Sequence, residues 1–320
     1  PTAVINSSLA GVYKAACSLG ADKVYGMKYG IEGLLKEELV ELNVLLGDRL
    51  SIELLKRTPS SYLGSCRYKL PEPEADSTPY VKLFTLFDKY DICAVFYIGG
   101  NDSMDTIAKL SRYGAQVGSA VRFIGVPKTI DNDLCGTDHC PGFGSAAKYI
   151  GTTFAELERD CHVYTTKAVT IVEVMGRDAG WLTAASCLAR ANGAKGPDFI
   201  YLCEVPFSID TFLKDVKAKL EEQDAVIIAV SEGVKNKDGR YISEEVQSSA
   251  VDSFGHSYIA GAAKVLEDAV RNKIGCKVRS IELNLMQRCA AHLASATDIQ
   301  ESRMLGKTAC QYALGGATGM

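Results

Sequence analysis

The chain has 320 residues, and its 35 Lys and Arg residues are nearly balanced by 39 Asp and Glu residues, which gives a formal net charge of −4. This length predicts two domains of about 150 residues each, and a composition of 47% hydrophobic and 23% charged residues is typical of globular proteins rather than disordered or fibrous ones. The acidic balance argues against nucleic-acid binding, and the strand-sized apolar segments are too short to cross a membrane.

The eleven cysteines are scattered along the chain and do not form a short disulfide-rich region. Cys93, Cys187, Cys203 and Cys289 lie in apolar segments. We therefore expect reduced thiols in the protein core, as in cytoplasmic proteins, and the predicted localisation is cytoplasmic.

Short β-rich runs alternate with amphipathic helical patterns along most of the chain, and this alternation predicts α/β domains in which helices cover parallel sheets. The predicted strands cover residues 92–98, 121–126, 168–174, 199–204 and 225–230. The predicted helices cover residues 103–112, 145–159, 178–191, 210–222, 257–270 and 301–314. In the helix over 210–222, Asp210 is the expected N-cap, and Phe212, Val216 and Leu220 share one face.

Two segments between these elements are predicted to be irregular. Residues 68–79 contain three of the nine prolines and predict a surface loop. Residues 133–144 combine glycines, a proline and acidic residues near the middle of the chain. We expect the crossover between two domains in this second segment.

Polar and glycine-rich segments follow four of the predicted strands. Gly-Gly-Asn-Asp-Ser at 99–103 follows the first strand, and Pro-Lys-Thr-Ile-Asp-Asn-Asp at 127–133 follows the second. Met-Gly-Arg at 175–177 and Ser-Glu-Gly at 231–233 follow the third and the fifth. Each segment by itself could be an ordinary turn, a helix cap or a solvated charge. Because the carboxyl ends of parallel strands meet at one edge of a sheet, the four segments together predict a shared site for an anionic ligand.

These residue types are suited to phosphoryl transfer. The glycine pair at 99–100 would let the backbone approach a phosphate at the start of a helix. Asp131 or Asp133 would accept the proton of the attacking hydroxyl. Asn101 and Asp102 are placed to bind Mg²⁺ together with phosphate oxygens.

The familiar nucleotide-binding motifs are missing from the sequence. Gly-Lys-Thr at 306–308 resembles the end of a P-loop, but Glu301 stands where the first glycine should be, so Lys307 is predicted to be a helical residue. No G-x-G-x-x-G segment follows a predicted strand, which argues against a dinucleotide-dependent oxidoreductase.

Five segments, in the same order, resemble the phosphofructokinase family. They are residues 63–67, 99–103, 127–133 and 173–177, and Ser-Glu-Gly at 231–233 with the later pair Gln287-Arg288. The resemblance extends from Pro1 to at least Arg288. It implies an α/β fold of two three-layer αβα, Rossmann-like domains with mainly parallel sheets.

The resemblance also implies how the chain is divided. Residues 1–137 and about 287–320 would form the domain that binds the phosphoryl donor and Mg²⁺, and residues 138–286 would bind the sugar phosphate. A first strand before Pro1 and the C-terminal end after Met320 would be missing from this chain. A homo-oligomer, either a dimer or a tetramer, is expected.

Individual residues take their roles from the same resemblance. Asp131 matches the general base that deprotonates the 1-hydroxyl of fructose 6-phosphate, and Lys128, Thr129 and Arg177 match other groups at the reacting centre. The residues that match substrate contacts are Thr129, Asp133, Met175, Gly176, Arg177, Glu232, Arg279 and Arg288, with Arg279 reaching the 6-phosphate across a subunit interface. The residues that match donor contacts are Arg67, Gly99, Gly100, Asn101 and Lys128, and Asp102 is the expected Mg²⁺ ligand.

Three positions depart from the family pattern. Asn101 replaces the first aspartate of the glycine loop, and Leu285 stands where a sugar-binding His or Tyr is usual. Ala168 stands where many bacterial members have a second phosphate-binding arginine, for which the adjacent Lys167 could substitute.

Two positions indicate the donor. ATP-using members usually have glycine at both, whereas pyrophosphate-using members tend to have Asp and Lys, as Asp102 and Lys128 do here. A carboxylate at 102 would repel the α-phosphate of a nucleotide, and Lys128 offers a point charge to a compact anion. We therefore expect reversible transfer from pyrophosphate to fructose 6-phosphate, giving fructose 1,6-bisphosphate and phosphate, in glycolysis or gluconeogenesis. The alternatives are an ATP-dependent 6-phosphofructokinase and a non-catalytic regulatory subunit that binds sugar phosphates.

Overall fold

The computed structural model describes residues 1–245 and 261–320, and the chain divides into two compact units. The first unit contains Pro1–Ile130, Leu134–Gly144 and Ala294–Met320, and the second contains Asp131–Asp133 and Ser145–Leu293. The C-terminal helix therefore belongs to the same unit as the N-terminal one. The predicted boundaries at 137 and about 287 refer to functional domains, and they stay a prediction.

Helices and strands alternate along the second unit, whereas they follow no regular order in the first. They are α1 (Ile5–Ser18), β1 (Tyr25–Met27), α2 (Gly30–Leu35), β2 (Leu39–Glu41), α3 (Leu42–Leu45), α4 (Arg49–Arg57), α5 (Thr78–Lys89), β3 (Ala94–Gly99), α6 (Asn101–Gln116), β4 (Arg122–Pro127), α7 (Phe143–Cys161), β5 (Ala168–Val174), α8 (Trp181–Ala184), β6 (Phe199–Tyr201), α9 (Ile209–Glu222), β7 (Ala225–Ser231), α10 (Ala262–Lys273), β8 (Lys277–Glu282), α11 (Met286–Cys289) and α12 (Ala296–Leu314). Short 3₁₀ helices cover Ala185–Asn192, Ile242–Glu245 and Ala291–Leu293.

The first unit has helices on both faces of the parallel pair β3–β4. Val95 and Phe123 pack against α5 and α6 on one face, and Ile124 and Val126 pack against α1 and α12 on the other. Successive side chains of a strand point to opposite faces, so burial of both sides requires the continuous apolar runs that the sequence contains. The strands β1 and β2 form a separate antiparallel pair.

Both outer edges of the β3–β4 pair are lined by other parts of the first unit. Gly319 N donates to Phe123 O at 2.8 Å, and Gly125 N donates to Met320 O at 2.7 Å, so the last residues of the chain extend along β4. The outer edge of β3 lines a cavity of about 570 Å³, and other walls of this cavity come from α1 and β1.

Two glycines let α1 and α12 approach until their backbones touch. A Cβ atom on Gly306 would lie 2.1 Å from Ser8 O, and one on Gly11 would lie 2.1 Å from Arg303 O. Gly306 is therefore a helix-packing residue. Lys307 is helical, which confirms that the triplet 306–308 is not part of a phosphate loop.

The second unit is built on a parallel sheet with the strand order β6-β7-β5-β8. The strands β5 and β7 are buried along nearly their whole length, and Val174 at the end of β5 pairs with Ser231 at the end of β7. The helices α9 and α10 pack on one face, where Phe212, Val216 and Leu220 of α9 are buried, as their spacing predicted.

The predicted α/β class with mainly parallel sheets is confirmed, but three strands were not predicted. They are β1, β2 and β8. The first two have only three residues each, and β8 is an edge strand whose Lys277, Arg279 and Glu282 are exposed, so it has no apolar run. The prediction of a strand over 199–204 was too long, because β6 ends at Tyr201.

Several helix predictions need correction at their ends. The predicted helix over 178–191 is a single α-helical turn, Trp181–Ala184, followed by the 3₁₀ helix, because the backbone over 176–180 is irregular. The N-cap of α9 is Ser208, whose side chain accepts from Thr211 N, and Asp210 lies in the first turn instead. Of the predicted helix over 257–270, residues 257–260 lie outside the described residues, and α10 continues to Lys273.

The expectation of buried thiols was wrong for two of the four cysteines that supported it. All eleven are free thiols, but Cys93 and Cys187 are exposed, and Cys203 and Cys289 are only partly buried. Cys93 precedes β3 and Cys187 lies in a 3₁₀ helix, so neither belongs to a strand with two buried faces.

Candidate active site

A glycine turn joins β3 to α6 beside Lys128. Lys128 N donates to Gly99 O at 2.9 Å, and a Cβ on Gly100 would lie 3.5 Å from Lys128 O. Gly99 is the more tightly enclosed of the two glycines, because its Cβ would lie 1.9 Å from the hydroxyl oxygen and 2.3 Å from the Cβ of Ser103. The turn therefore places the N-terminus of α6 and the segment after β4 next to each other, at the carboxyl edge of the strand pair.

Charged and polar groups surround this turn. Asn101 and Asp102 are exposed in the first turn of α6, where helix amides favour anions, and Lys128 is partly buried. The exposed Arg67 lies between α4 and α5, and its neighbour Cys66 has its sulfur 3.9 Å from the hydroxyl of Tyr97 in β3. The segment that carries Arg67 therefore passes β3 two residues before the glycine turn.

Residues 128–133 are held by backbone and side-chain contacts. The buried Thr129 donates its N–H to Pro141 O at 3.0 Å, and Asp298 accepts from Gly142 N at 2.9 Å. Asn132 has φ +58°, a left-handed conformation that Asn tolerates better than most residues. The chain passes from the first unit to the second between Ile130 and Asp131.

Three charged groups influence one another in the second unit. Burial is the main reason that the pKa of the Glu232 carboxyl is raised to about 7. The negative charges of Glu173 and Asp131 contribute to the raised pKa, whereas the hydrogen bond from Gly176 N and the charge of Arg177 oppose it. Asp131 is partly buried and Asp133 is exposed. The structure thus brings together Asp131, Arg177 and Glu232, which the sequence placed in three separate segments.

The loop over residues 175–177, called the Met175 loop below, contacts residues 231–233, which stand at the end of β7. Gly176 N donates to Glu232 Oε1 at 3.2 Å, and the hydroxyl of Ser231 donates to Gly176 O at 2.6 Å. Gly176 has φ +140°, and a Cβ on Gly233 would lie 1.8 Å from Arg177 O. These contacts fix the backbone that carries Met175 and Arg177.

The two remaining arginines lie at different distances from the carboxyl ends of the strands in the second unit. Arg288 is partly buried in α11, directly after Gln287, whose side chain accepts from Met175 N at 3.1 Å. Arg279 is exposed on the edge strand β8, opposite Thr170, and therefore about 10 Å along the sheet from the strand ends. The structure brings Arg288 to the Met175 loop but does not bring Arg279 there.

The three positions that depart from the family pattern also have defined places. Leu285 is exposed just before α11, and Asn101 is exposed at the start of α6. Ala168 and the exposed Lys167 lie at the amino end of β5, the end opposite the Met175 loop.

Sequence reasoning missed the groups that hold these loops. Ser231 and Gln287 stood out only as parts of the segments that resemble the family. The third such group is Glu173, which is 4% exposed and accepts hydrogen bonds from Gly261 N and Ala263 N at the start of α10. Glu173 and Ser231 gave one signal in the sequence, as polar residues inside or at the end of apolar strands, whereas Gln287 gave none beyond its place next to Arg288.

Within the described ranges, no three His, Cys, Asp or Glu side chains are grouped closely enough to hold a metal ion. The same ranges contain no helix with the length and apolar character needed to cross a bilayer.

These features define a class: an α/β protein with a glycine turn and a lysine at paired strand ends in one unit, and carboxylates near an arginine in the other. Comparisons with known proteins specify it further. The phosphofructokinase family model matches residues 1–313. The pyrophosphate–fructose 6-phosphate 1-phosphotransferases of Xanthomonas campestris pv. campestris and Methylococcus capsulatus are 40% and 37% identical over 317 and 319 residues, covering 98% of this chain and 75% of each relative.

A solved structure agrees with these relatives. The pyrophosphate-dependent phosphofructokinase from Nitrosospira multiformis matches with a TM-score of 0.86 and 35% identity, covering 99% of this chain and 75% of that one. The chain belongs to the phosphofructokinase family.

Proposed function

We propose that this chain transfers a phosphoryl group from pyrophosphate to the 1-hydroxyl of fructose 6-phosphate, which yields fructose 1,6-bisphosphate and phosphate. The observation that carries the proposal is that Asp131 lies near Arg177 and Glu232 in the folded chain. Asp131 also follows Lys128 by three residues, and the backbone of Lys128 lies beside the glycine turn. The names of the relatives support the same reaction.

On the acceptor side, Asp131 would take the proton of the 1-hydroxyl as that oxygen attacks the phosphorus. Arg177 would neutralise charge on the transferred phosphoryl group, and Thr129 and Asp133 would assist at the reacting centre. The residues proposed to hold the sugar phosphate are Met175, Gly176, Glu232, Arg279 and Arg288.

On the donor side, Lys128 and the N-terminus of α6 would bind pyrophosphate, helped by Gly99, Gly100, Asn101 and Arg67. The backbone of Lys128 lies directly beside the glycine turn, and its ammonium group would bind a compact anion together with the helix amides. The carboxylate of Asp102 lies in the same first turn and disfavours a bulkier nucleotide.

The donor site offers Mg²⁺ one carboxylate ligand, that of Asp102. Mg²⁺ commonly binds through one or two carboxylates and completes its shell with phosphate oxygens and water, so the exposed Asp102 suffices without a cluster of protein ligands. When bound, Mg²⁺ would neutralise charge on the phosphates. A homo-oligomeric state, with Arg279 on an exposed edge strand available to a partner, and a cytoplasmic location stay predictions.

The donor assignment is tested with purified protein and fructose 6-phosphate, with pyrophosphate or ATP as the donor. We expect turnover with pyrophosphate and little with ATP. Lys128→Gly should lower kcat/KM for pyrophosphate more than tenfold, because a charge-assisted phosphate contact contributes about 1.5–3 kcal/mol. Turnover with ATP alone would instead favour the ATP-dependent alternative.

Asp131→Asn separates an enzyme from a regulatory subunit. The amide has nearly the same shape but cannot accept the proton, so we expect the rate to fall by a factor on the order of 10² or more while fructose 6-phosphate still binds. An unchanged rate would contradict the assignment of Asp131 as the base, and binding of the sugar phosphate without turnover in the wild type would favour the regulatory subunit.

A further inference from the structure

Two successive backbone amides of the Met175 loop donate to side chains from different parts of the second unit. Gly176 N donates to Glu232 Oε1 at 3.2 Å, and Met175 N donates to Gln287 Oε1 at 3.1 Å. Glu232 is a proposed substrate contact, but Gln287 has no assigned role. Only 2% of Gln287 is exposed, so its amide is shielded from a ligand that enters from solvent.

Both ends of the Gln287 amide form hydrogen bonds. Its oxygen accepts from Met175 N, and its Nε2 donates to Asn284 O at 3.1 Å. Asn284 has φ +45°, a left-handed turn conformation, at the point where the chain leaves β8 and enters α11. This arrangement needs a side chain that both accepts and donates a hydrogen bond, as an amide does; an ionised carboxylate lacks the donor, and an aliphatic side chain lacks both groups.

The contacts of Gln287 connect two segments that carry proposed substrate-binding arginines. Arg288 follows Gln287 directly, and Arg177 follows Met175 by two residues. The buried amide of Gln287 therefore connects the backbone that carries Arg177 with the backbone that carries Arg288. Phosphoryl transfer depends on groups placed to within a fraction of an ångström, so this connection can affect the reaction although Gln287 does not contact a reacting atom.

We propose that Gln287 is a positioning residue for the sugar-phosphate site: it sets the Met175–Arg177 loop relative to Arg288 through its paired hydrogen bonds. This assignment deepens the proposed function and rests on it. Its effect belongs to the sugar phosphate rather than to pyrophosphate, because both loops that it joins are in the second unit, whereas Lys128 and the glycine turn are in the first.

The test compares Gln287→Leu with a control in the same unit, Gln223→Leu. Gln223 also makes two hydrogen bonds, to Asp198 Oδ1 and Ala225 O, but it lies at the amino end of β7, away from the loops. We expect Gln287→Leu to lower kcat/KM for fructose 6-phosphate by on the order of tenfold or more, mainly through KM, and to leave KM for pyrophosphate unchanged. Gln223→Leu should lower the melting temperature without changing either KM.

The variant Gln287→Glu provides a rescue measurement. When its carboxyl is protonated, it offers the same acceptor and donor as the amide, so its kcat/KM relative to wild type should rise as the pH is lowered. A ratio that does not change with pH, or a loss in Gln223→Leu equal to that in Gln287→Leu, would overturn the proposal.

Hydrogen exchange tests the positioning role of Gln287 without relying on enzyme activity. The amides of residues 175–177 should exchange faster in Gln287→Leu than in wild type or Gln223→Leu, whether or not the protein is active. Unchanged exchange at these amides would refute the positioning role. An inactive wild type with faster exchange in Gln287→Leu would instead refute only the proposed function.

Discussion

Glu232 combines a structural role with an unusual titration. Its carboxyl accepts from Gly176 N and lies near both Asp131 and Arg177, and burial raises its pKa from 4.5 to about 7. A carboxyl that titrates near neutral pH can both accept and donate a hydrogen bond under working conditions. This property suits a group proposed to contact sugar hydroxyls.

The raised pKa of Glu232 predicts a dependence of stability on pH. Between pH about 4.5 and about 7 the folded state holds this proton more tightly than the unfolded state, so the free energy of unfolding falls as the pH rises through that window. The full effect of this group amounts to roughly 3 kcal/mol above the folded pKa. Urea denaturation of wild type and Glu232→Gln at several pH values measures it, and the variant should show a flatter profile. Parallel profiles would contradict the raised pKa.

At the scale of elements, β5 supplies the cap of α10. The N-cap residue Gly261 has φ +99° and no side chain, and the buried Glu173 accepts from Gly261 N and Ala263 N at distances down to 2.8 Å. Burial raises the pKa of the Glu173 carboxyl. Unsatisfied amides at a helix N-terminus are costly, so a strand residue here replaces the usual Ser or Asp cap.

This cap predicts graded effects of substitution at Glu173. Glu173→Leu leaves the buried amide of Ala263 and the partly buried amide of Gly261 without this acceptor, and it should lower the free energy of unfolding by about 2 kcal/mol or more. Glu173→Gln keeps an acceptor and should cost less. Ser208→Ala, which removes the ordinary cap of α9, serves as a control at about 1 kcal/mol. Chemical denaturation compares the three, and a Leu variant as stable as wild type would exclude the capping role.

At the scale of the whole molecule, a close helix contact joins segments from the two ends of the chain. Gly306 in α12 packs against Ser8 in α1, and the two helices cover one face of the β3–β4 pair. The contact spans about three hundred residues of sequence and closes the first unit around its sheet.

The contact predicts that Gly306→Ala is destabilising although Ala favours helices. A gain of about 1 kcal/mol in helix propensity is outweighed, because the new methyl group would overlap a backbone oxygen and separate the helices, and we expect a net loss of about 1–3 kcal/mol. The exposed neighbour gives a matched control: Lys307→Ala should change stability by less than about 0.5 kcal/mol and leave phosphoryl transfer intact. Thermal unfolding and the activity assay together test both. Equal stability of Gly306→Ala and wild type would contradict the packing role.

Local signals predicted the elements with two buried faces and the segments that follow them. The runs over 168–174 and 225–230 are mostly apolar because both strands are buried along nearly their whole length, and the glycine turn and residues 127–133 come where β3 and β4 end. The exposed edge strand β8 was missed, because pairing on one edge needs no apolar run.

The α/β class, the family and the segments that carry the proposed chemistry were already evident from the amino-acid sequence, because they depend on residue types within a few positions of one another. The contacts that hold the fold became evident only in the folded chain: Gln287 contacts Met175, Glu173 caps α10, and Gly306 contacts α1. Each contact joins residues about ninety or more positions apart, so no local period records it. The pKa of Glu232 likewise depends on burial and on neighbours from two other segments, 127–133 and 173–177, which come close to Glu232 only once the chain has folded.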